Sequence, residues 1–141
     1  MPRLFIACPL PPEAAEMLAD VRQSLPGGTG MRLVPLSNLH LTLRFIGETD
    51  VETTLRLRAW FRGLSWAGLA CEAQGYGSLA SRGGQLLYAR LRCGDELSSL
   101  AARLESGLSA HGLPRDTRLL MPHITLARGA DLSVTAQTLD S

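Results

Sequence analysis

Two hexapeptides that echo each other set the strongest limit on how this chain can fold. Asn38-Leu39-His40-Leu41-Thr42-Leu43 and Met121-Pro122-His123-Ile124-Thr125-Leu126 both read x-x-His-aliphatic-Thr-Leu. In a strand, residues i and i+2 point the same way. Each copy therefore sets an imidazole beside a hydroxyl on one face and reserves aliphatic side chains for a core on the other. The first copy lies in the clearest strand of the chain, Leu39 to Gly47. Its odd positions Leu39, Leu41, Leu43 and Phe45 are apolar, and its even positions begin with His40, Thr42 and Arg44.

The segments around the two copies alternate between strand and helix. Arg3 to Cys8 reads as a mostly buried strand. Pro11-Pro12-Glu13 opens a helix with Ala14, Met17, Leu18, Val21 and Leu25 at helical spacing, ended by Pro26-Gly27-Gly28. Met31 to Pro35 is a short strand and Leu36-Ser37-Asn38 a turn. A second helix covers Asp50 to Arg62, capped by Thr49 or Asp50, with Leu57, Trp60, Phe61 and Leu64 as its apolar stripe. Ala67 to Tyr76 and Gln85 to Cys93 read as an antiparallel pair joined through Gly77 to Gly84. Asp95 caps a third helix that runs to about His111 and stops at Gly112. Thr117 to Arg128 is the last strand, and the final dozen residues look polar and weakly structured. The element order predicts an α+β fold, with helices packed on antiparallel sheet.

Composition narrows the chemistry. At 141 residues the chain fits one domain or two small lobes sharing a core. All 14 basic residues are arginine. A compositional habit explains that bias, but the absence of lysine still excludes Schiff-base, lysine-nucleophile and P-loop mechanisms. The net charge of +1 gives no global field for nucleic acid, so any RNA contact must be local. Cys8, Cys71 and Cys93 are far apart and form no CxxC pair, which predicts buried, reduced thiols. The opening MPRLFIACPL is too short and too soon polar for a signal peptide or a spanning helix, so a cytoplasmic protein away from membranes is expected.

Two histidines and two threonines around one anion-sized space suit phosphodiester hydrolysis without a metal. A neutral imidazole takes a proton from water while an imidazolium gives one to the departing ribose oxygen. A reference pKa near 6.5 makes both forms available near neutrality. Hydroxyls donate to non-bridging oxygens as charge builds on phosphorus. Either histidine can fill either role on sequence alone. A lone His-x-Thr is usually just a polar strand face; two matching copies in a chain with three histidines are not. The third, His111, sits at a helix end, where free carbonyls give it a structural partner. Neither His-x-Thr has a carboxylate beside it, which argues against a zinc-type site.

The paired His40-Leu-Thr-Leu and His123-Ile-Thr-Leu resemble the two H-x-T-x signatures of the 2H phosphoesterase superfamily, within it the RNA 2′,3′-cyclic phosphodiesterase (2′-5′ RNA ligase, LigT-like) group. Arg3-Leu-Phe-Ile-Ala resembles that group's opening strand, and Leu39 to Gly47 and Met121 to Arg128 its two motif strands, with a family-type spacing of 83 residues between the histidines. The resemblance implies one domain of two pseudo-symmetric lobes: two antiparallel sheets, helices outside, a central cleft. It implies opening of 2′,3′-cyclic phosphate ends of RNA, or of cyclic nucleotides, to a 2′-phosphate, with weak reversible 2′-5′ joining. His40 and His123 would be catalytic, with Thr42 and Thr125 on the phosphate. Arg128 follows the second motif as in the family and is a candidate for the phosphate, or a surface arginine. Arg44 shares the face of His40. Phe5 is a candidate for base stacking, or for the core. Tyr76 and Tyr88 are undecided. A monomer without metal or nucleotide cofactor is expected. Such proteins usually continue further past the second motif, so a trimmed sheet, a more open cleft and weaker activity are expected here. The rivals are cleavage of 2′-5′ oligonucleotides and a non-catalytic module that binds nucleotides or RNA ends.

Overall fold

A computed structural model describes residues 2–24, 31–66, 68–81, 84–116 and 120–129. In chain order the elements are β1 (Arg3–Pro9), α1 (Pro12–Ser24), β2 (Arg32–Leu33), a 3-10 turn (Leu36–Asn38), β3 (His40–Glu48), α2 (Val51–Arg62), β4 (Cys71–Ser81), β5 (Gly84–Cys93), α3 (Asp95–Ala110) and β6 (His123–Gly129). This is the expected α+β alternation. The first helix's Pro26-Gly27-Gly28 stop, the start of the last strand at Thr117 and the weakly structured tail lie outside the described residues.

Two compact units divide the chain. The first comprises Met1–Ala7, Thr42–Cys71 and Cys93–Met121. It contains β1 beside β3, together with α2 and α3. Its buried residues include Ile6, Leu43, Leu57, Leu97, Leu100, Leu104 and Leu108. The second comprises Cys8–Leu41, Glu72–Arg92 and Pro122–Ser141. Here β6 is central: β5 lies along one edge, with β4 beyond it, and β2 and the start of β3 share the other. Leu18 from α1 packs with Leu39, Ala89, Ile124 and Leu126 to form its core. β3 contributes to both units, His40 and Leu41 to the second and Thr42 to Glu48 to the first.

Local chemistry explains the helix ends. The Asp50 carboxylate caps α2 by accepting the Thr53 amide at 2.7 Å, which holds its pKa below the usual carboxylate range. The expected cap at Asp95 is displaced by one position. Gly94 is the N-cap of α3 and Asp95 its first residue, where an acid still favours the positive helix end. Gly112, at φ +85°, ends α3, and its amide bonds the Ser109 carbonyl. His111 has the structural task read from sequence: its Nδ1–H donates to the Gly107 carbonyl at 2.8 Å, and its ring lies 5.7 Å from that of Trp60.

Four expectations fail for physical reasons. Phe45 continues the apolar alternation of β3 yet is 62 % exposed; its ring meets Phe5, which is 50 % exposed rather than in the core. β2 is only two residues long: Val34 still donates in register to the Leu126 carbonyl, but Pro35, which has no N–H, follows. β4 runs on to Ser81, past the expected turn at Gly77. Cys71 and Cys93, the first residue of β4 and the last of β5, form a disulfide with their Cα atoms 4.3 Å apart. The thiol argument for a reducing compartment therefore falls. Cys8 alone stays a free thiol, its pKa raised by burial. No helix among the described residues is long and apolar enough to cross a membrane.

Gly107 shows how closely α3 meets α2. A Cβ built there would overlap the indole of Trp60. Glycine inside a helix ordinarily costs about 1 kcal/mol relative to alanine. Gly107→Ala should nevertheless destabilise, because overpacking of about 1–3 kcal/mol exceeds the propensity gain. Thermal unfolding should register a lower Tm, recovered when Trp60→Leu is added. A Tm that rises in the single variant would mean the two helices do not meet this closely.

Candidate active site

Antiparallel pairing in the second unit brings the two motifs together. Leu41 of β3 lies opposite Ile124 of β6. Both are buried, and they define the core face of the pair. One step along the ladder sets His40 opposite Thr125 on the other face, about 5 Å apart at Cβ. His123 lies two residues from Thr125 on that face, about 7 Å along the strand. Thr42 follows His40 by the same step on β3.

β5 supplies the next column. Tyr88 is opposite Thr125 and Arg90 is opposite His123. The Tyr88 ring meets His123 edge-on, with centroids 5.3 Å apart and planes at 66°. Arg90 donates to the Gln74 and Tyr76 carbonyls at 3.3 and 3.2 Å, tying β5 to β4. Gly77 lies where a Cβ would come within 2.6 Å of both the Tyr88 hydroxyl and its ring carbon Cζ. Its missing side chain makes the room for Tyr88 to stand beside His123.

The His40 ring is set by its own chain. Its Nδ1 lies 2.5 Å from the Asn38 carbonyl. A carbonyl only accepts, so Nδ1 carries the hydrogen of this contact. The 3-10 turn Leu36–Asn38 aims that carbonyl, its backbone closed by the Asn38 amide on Pro35 and the Leu39 amide on Leu36.

Arg128 reaches the same face through a β-bulge. Leu87 pairs with Ala127, but Tyr88 pairs with Thr125, so Leu126 is an extra residue on β6. Leu126 and Ala127 are both fully buried. After the bulge, Arg128 stands opposite Leu86, two residues from Tyr88, and so shares the face of Thr125 and His123. Plain alternation would have turned it into the core. Its Nη1 donates to Ser81 Oγ at 3.1 Å. On its other side, Arg32 of β2 is directly opposite.

Arg44 is engaged elsewhere. Its Nε and Nη2 bind the Glu105 carboxylate, Nη2 also donates to the Pro114 carbonyl at 2.8 Å, and Nη1 donates to the Phe45 carbonyl. Glu105 in addition accepts the Asp116 amide at 3.2 Å. These bonds fasten β3 to α3 and to the segment after it. Phe5 belongs, with Phe45, to an exposed aromatic pair of the first unit. Sequence reasoning did not find Arg32 or Arg90 and left Tyr88 open. An exposed arginine on a two-residue strand carries no periodic signal, and only strand register joins Tyr88 to His123. Among the described residues no three His, Cys, Asp or Glu side chains cluster as a metal site.

Residues 9–141 match the family model described as the 2′-5′ RNA ligase superfamily. The chain is 33% identical over 140 residues to the RNA 2′,3′-cyclic phosphodiesterase of Escherichia coli strain K12, covering 94% of this chain and 75% of that protein. A solved protein of Thermus thermophilus is similar with a TM-score of 0.75 at 28% identity, over 92% of this chain and 75% of that one. Escherichia coli LigT complexed with 3′-AMP is similar with a TM-score of 0.67 at 28% identity, over 94% and 74%.

Proposed function

The chain belongs to the 2′-5′ RNA ligase superfamily, and from that membership we propose that it is an RNA 2′,3′-cyclic phosphodiesterase that works through His40 and His123. The observation that carries this reading is the Leu41–Ile124 register, which brings two His-x-Thr motifs to one face of a strand pair. Relatives named for this activity support the substrate class.

In the proposed reaction, His123 takes a proton from water as its oxygen bonds to phosphorus. The bond from phosphorus to the ribose 3′ oxygen breaks, and His40 Nε2 gives that oxygen a proton. The product is a 2′-phosphate beside a free 3′ hydroxyl. The carbonyl that accepts from His40 Nδ1 orients the ring so that Nε2 can deliver the proton, which suits His40 as the acid. Thr42 and Thr125 donate to the non-bridging oxygens. Arg128, on the face of Thr125, supplies a guanidinium for phosphate. Arg44 holds α3 instead of substrate, because its donors are bonded to Glu105 and two carbonyls. Phe5 offers an exposed ring on which a base can stack. With an RNA 5′ hydroxyl attacking phosphorus in place of water, the same step joins ends through a 2′-5′ bond, and its reverse cleaves that bond.

The test is hydrolysis of a nucleoside 2′,3′-cyclic phosphate, and of a short RNA with the same end, in excess chelator. Release of the 2′-phosphate is the expected result. No turnover of either by folded protein would leave a binding module as the reading.

A further inference from the structure

A histidine must be aimed before it can move a proton, and the torsion that sets the plane of an imidazole has broad preferences of its own. A neighbour has to fix it. For His40 the Asn38 carbonyl does so. Against His123 stands an aromatic ring. Tyr88 meets it with centroids 5.3 Å apart and planes at 66°, within the edge-to-face geometry that aromatic pairs prefer. None of the proton transfers described above uses Tyr88.

Tyr88 is itself held in place. It is 6 % exposed, on a face where His40, Thr42, His123 and Thr125 are half-buried and Arg90 and Arg128 are exposed. Its neighbours in sequence, Leu87 and Ala89, are fully buried, so core packing fixes the backbone that carries it. β4 supplies the seat. A Cβ at Gly77 would run into Tyr88 Oη and Cζ and would come within 3.1 Å of Arg90 Nη2. Arg90 is tied in turn to the Gln74 and Tyr76 carbonyls. In the run Gly75-Tyr76-Gly77, the second glycine is thus a seat for the Tyr88 ring. A rigid ring held on all these sides can restrain a mobile one.

We propose that Tyr88 is the positioning residue of His123: its seated ring fixes the plane of the imidazole, so that the base points at water. The proposal rests on the phosphodiesterase reading for the chemistry that His123 performs. It assigns the work to the ring and not to the hydroxyl.

The test compares Tyr88→Phe, which keeps the ring, with Tyr88→Met and Tyr88→Leu, which fill the space with a flexible or a branched chain. On a nucleoside 2′,3′-cyclic phosphate, kcat should fall at least about tenfold in the Met and Leu variants and stay near wild type in Tyr88→Phe, with KM little changed throughout. In a His123→Ala background, Tyr88→Met should cost nothing further, because its effect passes through the imidazole. Carbon relaxation of the His123 ring should give an order parameter near 0.85 in wild type and Tyr88→Phe, and below about 0.6 in Tyr88→Met. An unchanged kcat or an unchanged order parameter in Tyr88→Met would overturn the proposal, as would a further loss in the His123→Ala background; with wild-type turnover intact, each would spare the phosphodiesterase reading. A ring that loosens only in the Met and Leu variants, in a protein without turnover, would sink that reading and leave Tyr88 as the residue that orients His123.

Discussion

Alanine at His123 or at His40 is expected to slow opening of a 2′,3′-cyclic phosphate by at least about a hundredfold each, since a positioned general acid or base is worth roughly 10²–10⁴. Neither side chain belongs to a core: both are half-buried on the polar face of β3 and β6, while the adjacent Leu41 and Ile124 are buried. The melting temperature should therefore stay close to that of the wild type, which separates lost chemistry from lost fold. The two variants should differ in one respect. Departure of the 3′ oxygen needs a proton, and a substrate ester whose leaving group is already a weak base does not. Such a substrate should recover much of the activity of His40→Ala and little of that of His123→Ala, because water must be activated in either case. The reverse pattern would exchange the two roles. Near-full activity in both variants on the cyclic phosphate would remove the histidines from the reaction altogether.

What could be read from the sequence was whatever repeats with a period. Alternation along Leu39 to Gly47 fixes which side chains of β3 share a face, and β3 has that pattern from His40 to Arg44. The same rule fails at Phe45, since burial depends on what covers a strand end, and period-two spacing is silent about that. It fails more usefully at Arg128. Counting by twos from His123 sends Arg128 to the core, and only the extra residue at Leu126 returns it to the reacting face. A bulge adds no residue type that sequence could flag. The Cys71–Cys93 bridge was hidden for another reason: the two cysteines are 22 residues apart, and only the β4–β5 pairing makes them neighbours. Arg32 was hidden because its strand is two residues long, too short for any periodicity.

Alternation with buried Ile124 explains why the second motif ends in leucine, and this leads to the largest expected effect on stability. Leu126 is fully buried in the core of the second unit beside Leu18, Leu39, Ala89 and Ile124. Its carbonyl accepts the Val34 amide at 2.8 Å, so its backbone ties β6 to the segment leading into the first motif. Leu126→Ala should cost about 2–5 kcal/mol through lost burial and the cavity left behind. A domain of this size is stable by about 5–15 kcal/mol in all. Leu126→Ala should therefore lower the denaturant midpoint far more than either histidine variant. Leu126→Met, which nearly conserves volume, should cost less than about 1.5 kcal/mol. Activity should follow the folded fraction in both, because the leucine points away from the phosphate. A Leu126→Ala protein as stable as the wild type would mean that this position is not in the core, and with it would go the inward turn of Leu126 and Ala127 that brings Arg128 to the face of the two histidines.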